Sequence, residues 1–205
     1  MSDPKTLYDK IWDAHLVAQR ADGRDLVYID RHVLHELHAP HAFEQLEKQR
    51  RPVRRPDLTF SMQDHTVATR PGRDDSTNPS GAAFIKAMRE GSRRNDIRVF
   101  DIDDPEQGIS HVVAPELGMV LPGATHAVPD SHASTVGGLG ALAFGCGTTE
   151  LAHILATQVM ALRARYGILD GFVLYTGGDD ARKNLDAAIA GFAALPVGLR
   201  ANLQL

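Results

Sequence analysis

The 205-residue sequence predicts an α/β fold of three layers, a largely parallel sheet between two layers of helix, and two observations carry the prediction. Short apolar runs alternate along the chain with longer stretches of helical periodicity, the pattern of parallel strands joined by helical crossovers. One apolar run, residues 123–128, leads through Pro129 into Asp130-Ser131-His132. That places an acid, a hydroxyl and an imidazole at the carboxyl end of a strand, where open α/β sheets collect their chemistry.

Residues 5–19 carry Leu7, Ile11 and Leu16 near helical spacing, with Ser2 or Asp3 as a cap before Pro4. Residues 25–30 read as a short strand, 40–49 as a helix and 58–62 as a strand. A helix over 80–93 is opened by Asn78-Pro79, and strands come next at 97–102 and 124–128. Thr149 caps a helix from Glu150 to about residue 163, with Glu150 in the first turn, where the helix dipole favours an acid. Residues 69–79 are polar and rich in turn formers, an exposed loop of a length that is often mobile. Residues 163–205 read as a β-α-β tail: a strand at 171–175, a turn, a helix at 180–194 ended by Pro196, and a strand at 197–203. That is too little chain for a second domain, so the tail is expected to cap or extend the sheet.

Composition narrows the function classes. A net charge of −4 removes the electrostatic case for nucleic acid, and the basic cluster Arg50-Arg51-Pro52-Val53-Arg54-Arg55 lacks interleaved aromatics, so it reads as a solvated loop. No signal peptide and no membrane-length apolar run is seen, which makes the cytoplasm the expected address. The single cysteine, Cys146, excludes an internal disulfide and reads as a small buried filler in a glycine-rich loop.

The candidate chemistry lies in a few side chains. Asp64-His65 comes directly after the strand at 58–62, and a carboxylate beside an imidazole raises its basicity and orients it as a proton donor. With His111, Asp130 and His132 the pair would also suit zinc or manganese in a metallohydrolase. His32, His35 and His38 recur every third residue, a polar helix face or, less simply, a three-imidazole zinc site. Gly138-Leu139-Gly140-Ala141-Leu142-Ala143 fits a loose dinucleotide fingerprint, yet its glycines do not directly follow a strand, and Gln158 and Val159 stand where a ribose-binding acid belongs.

The phrase DSHASTVGGLGALAFGCGTTELAHILATQ, residues 130–158, resembles the Asp-Ser-His segment of the aconitase superfamily, and most of all its 3-isopropylmalate dehydratase large-subunit branch. TLYDKIWDAH, LVYIDRHVLHEL, RRPDLTFSMQDHTVAT and IRVFDIDDPEQGISHVVAPELGMVLPG are similar to further landmarks of that family in the same order. The resemblance implies an aconitase-type three-layer domain over residues 1–162, with nothing matched in 163–205. It implies a hydro-lyase of leucine biosynthesis that interconverts 2-isopropylmalate and 3-isopropylmalate through an alkene, on a 4Fe-4S cluster whose open iron draws off the hydroxyl as a Lewis acid. In such an enzyme Asp64 and His65 would protonate the departing hydroxyl. His111, Asp130 and His132 would hold and orient the iron-linked water, and Ser131 would contact a substrate carboxylate. The implied partners are a small subunit, bringing the proton-abstracting serine and substrate-binding arginines, and the rest of the large subunit. One cysteine cannot hold three irons, so the cluster ligands are expected outside this chain. The chain departs from the family at Val128-Pro129, where many relatives have Cys-Gly, and proline stiffens that approach. A non-catalytic orphan or split-subunit domain is the remaining expectation.

Overall fold

In the computed structural model, which describes residues 4–162, 189–191, 193–194 and 196, Thr6 opens the first helix, α1 (Leu7–His15), with a capping box. Its hydroxyl accepts the Asp9 N–H at 3.1 Å, and Asp9 accepts the Thr6 N–H at 2.9 Å. The helix stops at His15, short of the expected residue 19, because Leu16–Gln19 pairs as strand β1. His15 closes the helix by meeting the Ile11 carbonyl and Asp30, each at 2.7 Å.

The strand expected at 25–30 is separated from its neighbour in sequence by a change of sheet. β2 (Asp25–Tyr28) lies between β1 and residues 159–162 in a three-stranded sheet, whereas β3 (Arg31–His35) is the centre of a separate five-stranded sheet. The break falls where backbone partners change: Ile29 N–H donates to the Gln158 carbonyl, and Asp30 N–H to the Thr125 carbonyl and hydroxyl. His32 and His35 therefore lie on a strand, and the expected polar helix face is overturned. Strand alternation sends His32 and His35 to opposite faces, both buried, while His38 precedes the next helix, so the three imidazoles do not form one zinc set.

Helix α2 (Ala39–Lys48) carries Pro40 in its first turn, where the missing N–H costs nothing. A 3-10 turn, Pro56–Leu58, leads into β4 (Thr59–Met62). Then come α3 (Ala82–Arg94), β5 (Arg98–Phe100), α4 (Ser110–Glu116), β6 (Thr125–Val128), a 3-10 segment (Ala133–Leu139) and β7 (Leu142–Gly145). Neither α4 nor β7 was legible in the apolar periodicity. Helix α5 (Thr148–Thr157) is capped at Gly147, whose N–H donates to Glu150 Oε2, rather than at Thr149. It ends well before residue 163, because Gln158 turns left-handed at φ 65° and the chain continues as β8 (Val159–Leu162).

Every pair in the larger sheet is parallel, with Leu34 opposite Ser61, Arg31 opposite His126 and Val128 opposite Gly145. Val33, Met62, Phe100 and Val128 point to one face, into a buried cluster with Val113 and Ala114 of α4 and Val136 of the 3-10 segment. The other face carries Ser61, hydrogen-bonded to Ser92 of α3, and there α2 packs with α3 and α5. The expected three layers are present. The chain runs β3, β4, β5 to one side, then returns to place β6 and β7 on the other, so strand order reverses between β3 and β6, where such sheets open a crevice.

The exposed loop at 69–79 is held at several points: Arg89 forks onto Asp75 at 2.7 and 2.9 Å and also meets Asp101, and Asn78 donates to the Thr66 carbonyl. The chain divides into two units, Met1–Ala18 with Leu26–Met160, and Gln19–Asp25 with Ala161–Leu205. In the second, Arg24 grips Asp22 across a short turn. The expected strands at 171–175 and 197–203 lie outside the described residues; of the expected helix at 180–194, residues 189–191 and 193 are helical.

Candidate active site

Three parallel strands end at the same edge, and each delivers part of the site. Beyond β4, Gln63 is buried and donates to the Ile85 carbonyl, and the chain then turns out to present Asp64 and His65. Beyond β6, Pro129 leads to Asp130. Beyond β3 stands Glu36, fully buried. Helix α4 adds His111.

Asp130 is the hub. Its Oδ2 accepts from His65 Nε2 at 3.0 Å, and its Oδ1 accepts from His111 Nε2 at 2.7 Å and from the His132 N–H at 2.6 Å. On its other nitrogen, His65 donates to Asp64 Oδ1 at 2.7 Å, while Asp64 Oδ2 accepts the Ser110 N–H that starts α4. Both partners of His65 are acceptors only, so the ring fits as an imidazolium donating twice. Its pKa is raised to about 9, chiefly by the hydrogen bond it donates to Asp64, against the opposing effect of burial. Burial pushes the Asp130 carboxyl up, but the His132 amide, His111 and His65 outweigh it and hold the group far below the ordinary carboxylate range. Burial is likewise outweighed at Asp64, by His65 and the Ser110 amide.

Of the six residues expected at the site, Asp64, His65, His111 and Asp130 form one connected hydrogen-bonded set. His132 joins it through its backbone. Its ring is 59 % exposed and 3.6 Å from Asp130, and Ser131 touches it at 3.1 Å, so both side chains lie at the open rim. Two further residues join the site, although the sequence pattern alone did not assign them to it. His35 stacks on His65 with ring centroids 3.8 Å apart and donates to the Pro129 carbonyl at 2.6 Å, and burial lowers its pKa. Glu36 accepts the N–H groups of Asp64, His65 and Thr66 and the Thr66 hydroxyl. No sequence signal marked Glu36, because β3 itself, Arg31-His32-Val33-Leu34-His35, does not read as an apolar strand.

Among the described residues, His35, Glu36 and His65 bring their donor atoms within 4.8 Å of one another, close enough for a metal. Each is already spent: both nitrogens of each ring and both oxygens of Glu36 are in hydrogen bonds. Cys146 is buried and its thiol is pushed up to about 12 by that burial, consistent with a filler. The loose dinucleotide fingerprint falls across the 3-10 segment and β7, not at a strand-to-helix turn, so its geometry is not that of a pyrophosphate loop.

Residues 9–168 match the profile of the Aconitase family (aconitate hydratase). The chain is also 46 % identical over 159 residues to 3-isopropylmalate dehydratase large subunit 1 of Bradyrhizobium diazoefficiens, a match that covers 78 % of this chain and 33 % of that protein. The chain thus spans about a third of the length of the curated relative it matches. With its Asp and His side chains gathered at the carboxyl edge of a parallel sheet and a profile match over most of its length, the chain belongs to the aconitase family.

Proposed function

We propose that this chain is part of the large subunit of a 3-isopropylmalate dehydratase, the portion that supplies acid-base residues for interconverting 2- and 3-isopropylmalate by dehydration and rehydration. The observation that carries the reading is the chain of contacts from Asp64 through His65 to Asp130 and His111, in a sequence 46 % identical to such a subunit.

His65 is the proton donor of this reading. Asp64 keeps its ring charged at neutral pH, and a substrate hydroxyl entering between His65 Nε2 and Asp130 would take the proton as it departs. Asp130, ionised and fixed by three donors, with His111 and His132 orients the water that leaves or returns. Ser131, at the rim, meets a substrate carboxylate. In the reverse direction His65 recovers the proton from the incoming water.

The aconitase family generally holds a 4Fe-4S cluster. Cys146, a single buried thiol, does not fit the three thiolates such a cluster needs. We therefore place the cluster ligands, and the small subunit with its serine base and arginines, outside these 205 residues. No helix among the described residues is long and apolar enough to cross a membrane, and a cytoplasmic address is part of the same proposal.

The test is reconstitution with a large-subunit segment bearing the cysteines and with the small subunit, following alkene formation from 2-isopropylmalate. His65→Ala and Asp130→Ala should each lower turnover by about 10²–10⁴-fold while the variants remain folded. A cluster-loaded complex without turnover would leave a non-catalytic domain of the family. Normal turnover in the variants with a large loss of melting temperature would assign these residues to structure.

A further inference from the structure

We propose that His35-Glu36, at the carboxyl end of the central strand β3, is the positioning element of the acid-base site: Glu36 sets the loop bearing Asp64 and His65, and His35 sets the loop bearing Asp130.

A fully buried carboxylate is costly unless its lone pairs are satisfied. Glu36 meets that requirement with three consecutive backbone amides and one hydroxyl, and two of the amides belong to Asp64 and His65 themselves. The grip is on the peptide groups that aim the acid pair. Gly81 wedges the same loop from behind, since a Cβ there would run into the Thr66 carbonyl. His35 works on the opposite side. Its Nδ1 accepts the Leu37 N–H, which leaves Nε2 as the donor to the carbonyl of Pro129, one residue before Asp130. Its ring lies against His65 at an interplanar angle of 16°, which fixes the plane of the donor ring.

The sheet order explains why one dipeptide does both. β3 lies between β4 and β6, so it alone neighbours both loops, and successive residues leaving a strand point to different sides. The contact that results is His65 Nε2 to Asp130 Oδ2, between the loops that follow β4 and β6.

The test needs no activity, so it fails or succeeds separately from the dehydratase reading, on which only its catalytic consequence rests. In the full chain, imidazole resonances and amide exchange are followed by NMR in wild type, Glu36→Gln and His35→Phe. The charged and titratable neighbours of His65 are Asp64, Asp130, Glu36 and His35. Glu36→Gln should speed exchange of the Asp64, His65 and Thr66 amides by roughly tenfold or more, while α5 amides are unchanged. His35→Phe keeps a stacking ring but loses the Pro129 bond. It should lower the titration midpoint of His65 from about 9 by weakening its contact with Asp130, with the 64–66 amides still protected. Folded variants with wild-type exchange and midpoint would overturn the proposal. If Glu36→Gln does not fold, His35→Phe and the shorter Glu36→Asp decide in the same way.

Discussion

His65 between two carboxylates and the buried pair His32 and His126 are opposite cases of one residue type. Donors that meet acceptors raise His65 to about 9, whereas burial lowers His32 and His126 to about 4 each. Their linkage to stability has opposite signs. The His65 contribution is fully present below the unfolded value near 6.5 and is lost as pH rises through 9. His32 and His126 are neutral when folded, so protonation favours the unfolded chain below about 6.5, at about 1.4 kcal/mol per pH unit for each until the folded value near 4 is reached. Urea unfolding at pH 7 and pH 5 should therefore show a clear loss at the lower pH; equal midpoints would mean that these rings are solvated. An NMR titration should place His65 near 9, and Asp64→Asn should bring it down toward 6.5.

At the scale of elements, the packing of α2 on α3 is set by one glycine. Gly91 has no Cβ where the Phe43 ring of α2 lies, and a methyl added there would sit well inside contact distance of Phe43 Cδ2. Gly91→Ala would gain about 1 kcal/mol of helix propensity, but overpacking of a buried aromatic costs about 1–3 kcal/mol. The expected outcome is a net loss of up to about 2 kcal/mol in denaturant unfolding, and a gain in stability would show that Phe43 can move aside. The short strands were harder to bound than the helices. Residues 25–38 read as one strand and a helical histidine stripe because β3 is buried on both faces, and such a strand shows no alternation of apolar and polar residues.

At the scale of the whole molecule, a parallel sheet brings distant loops to one edge but supplies one thiol. Purified chain given iron, sulfide and reductant should develop no brown chromophore and form no alkene from 2-isopropylmalate, because Cys146 is single, buried and held protonated well above neutral pH. The acid-base set alone would contribute about 10²–10⁴-fold, which does not replace a Lewis acid at the leaving hydroxyl. Turnover by the chain alone would mean that the histidine set holds a metal.

The sequence by itself determined the α/β class, the strand-end positions of Asp64-His65 and Asp130-His132, and the family, because apolar periodicity and turn chemistry are local and a long motif is read residue by residue. It did not show that His65 and Asp130 share a hydrogen bond, that His111 comes from a helix, or that Glu36 lies beneath the acid pair. Those depend on sheet order and on backbone partners far apart in the chain. Periodicity states which face of an element is buried and is silent on which strand lies beside it. Only the parallel register of β3 between β4 and β6, closed by long-range hydrogen bonds, decides which side chains meet.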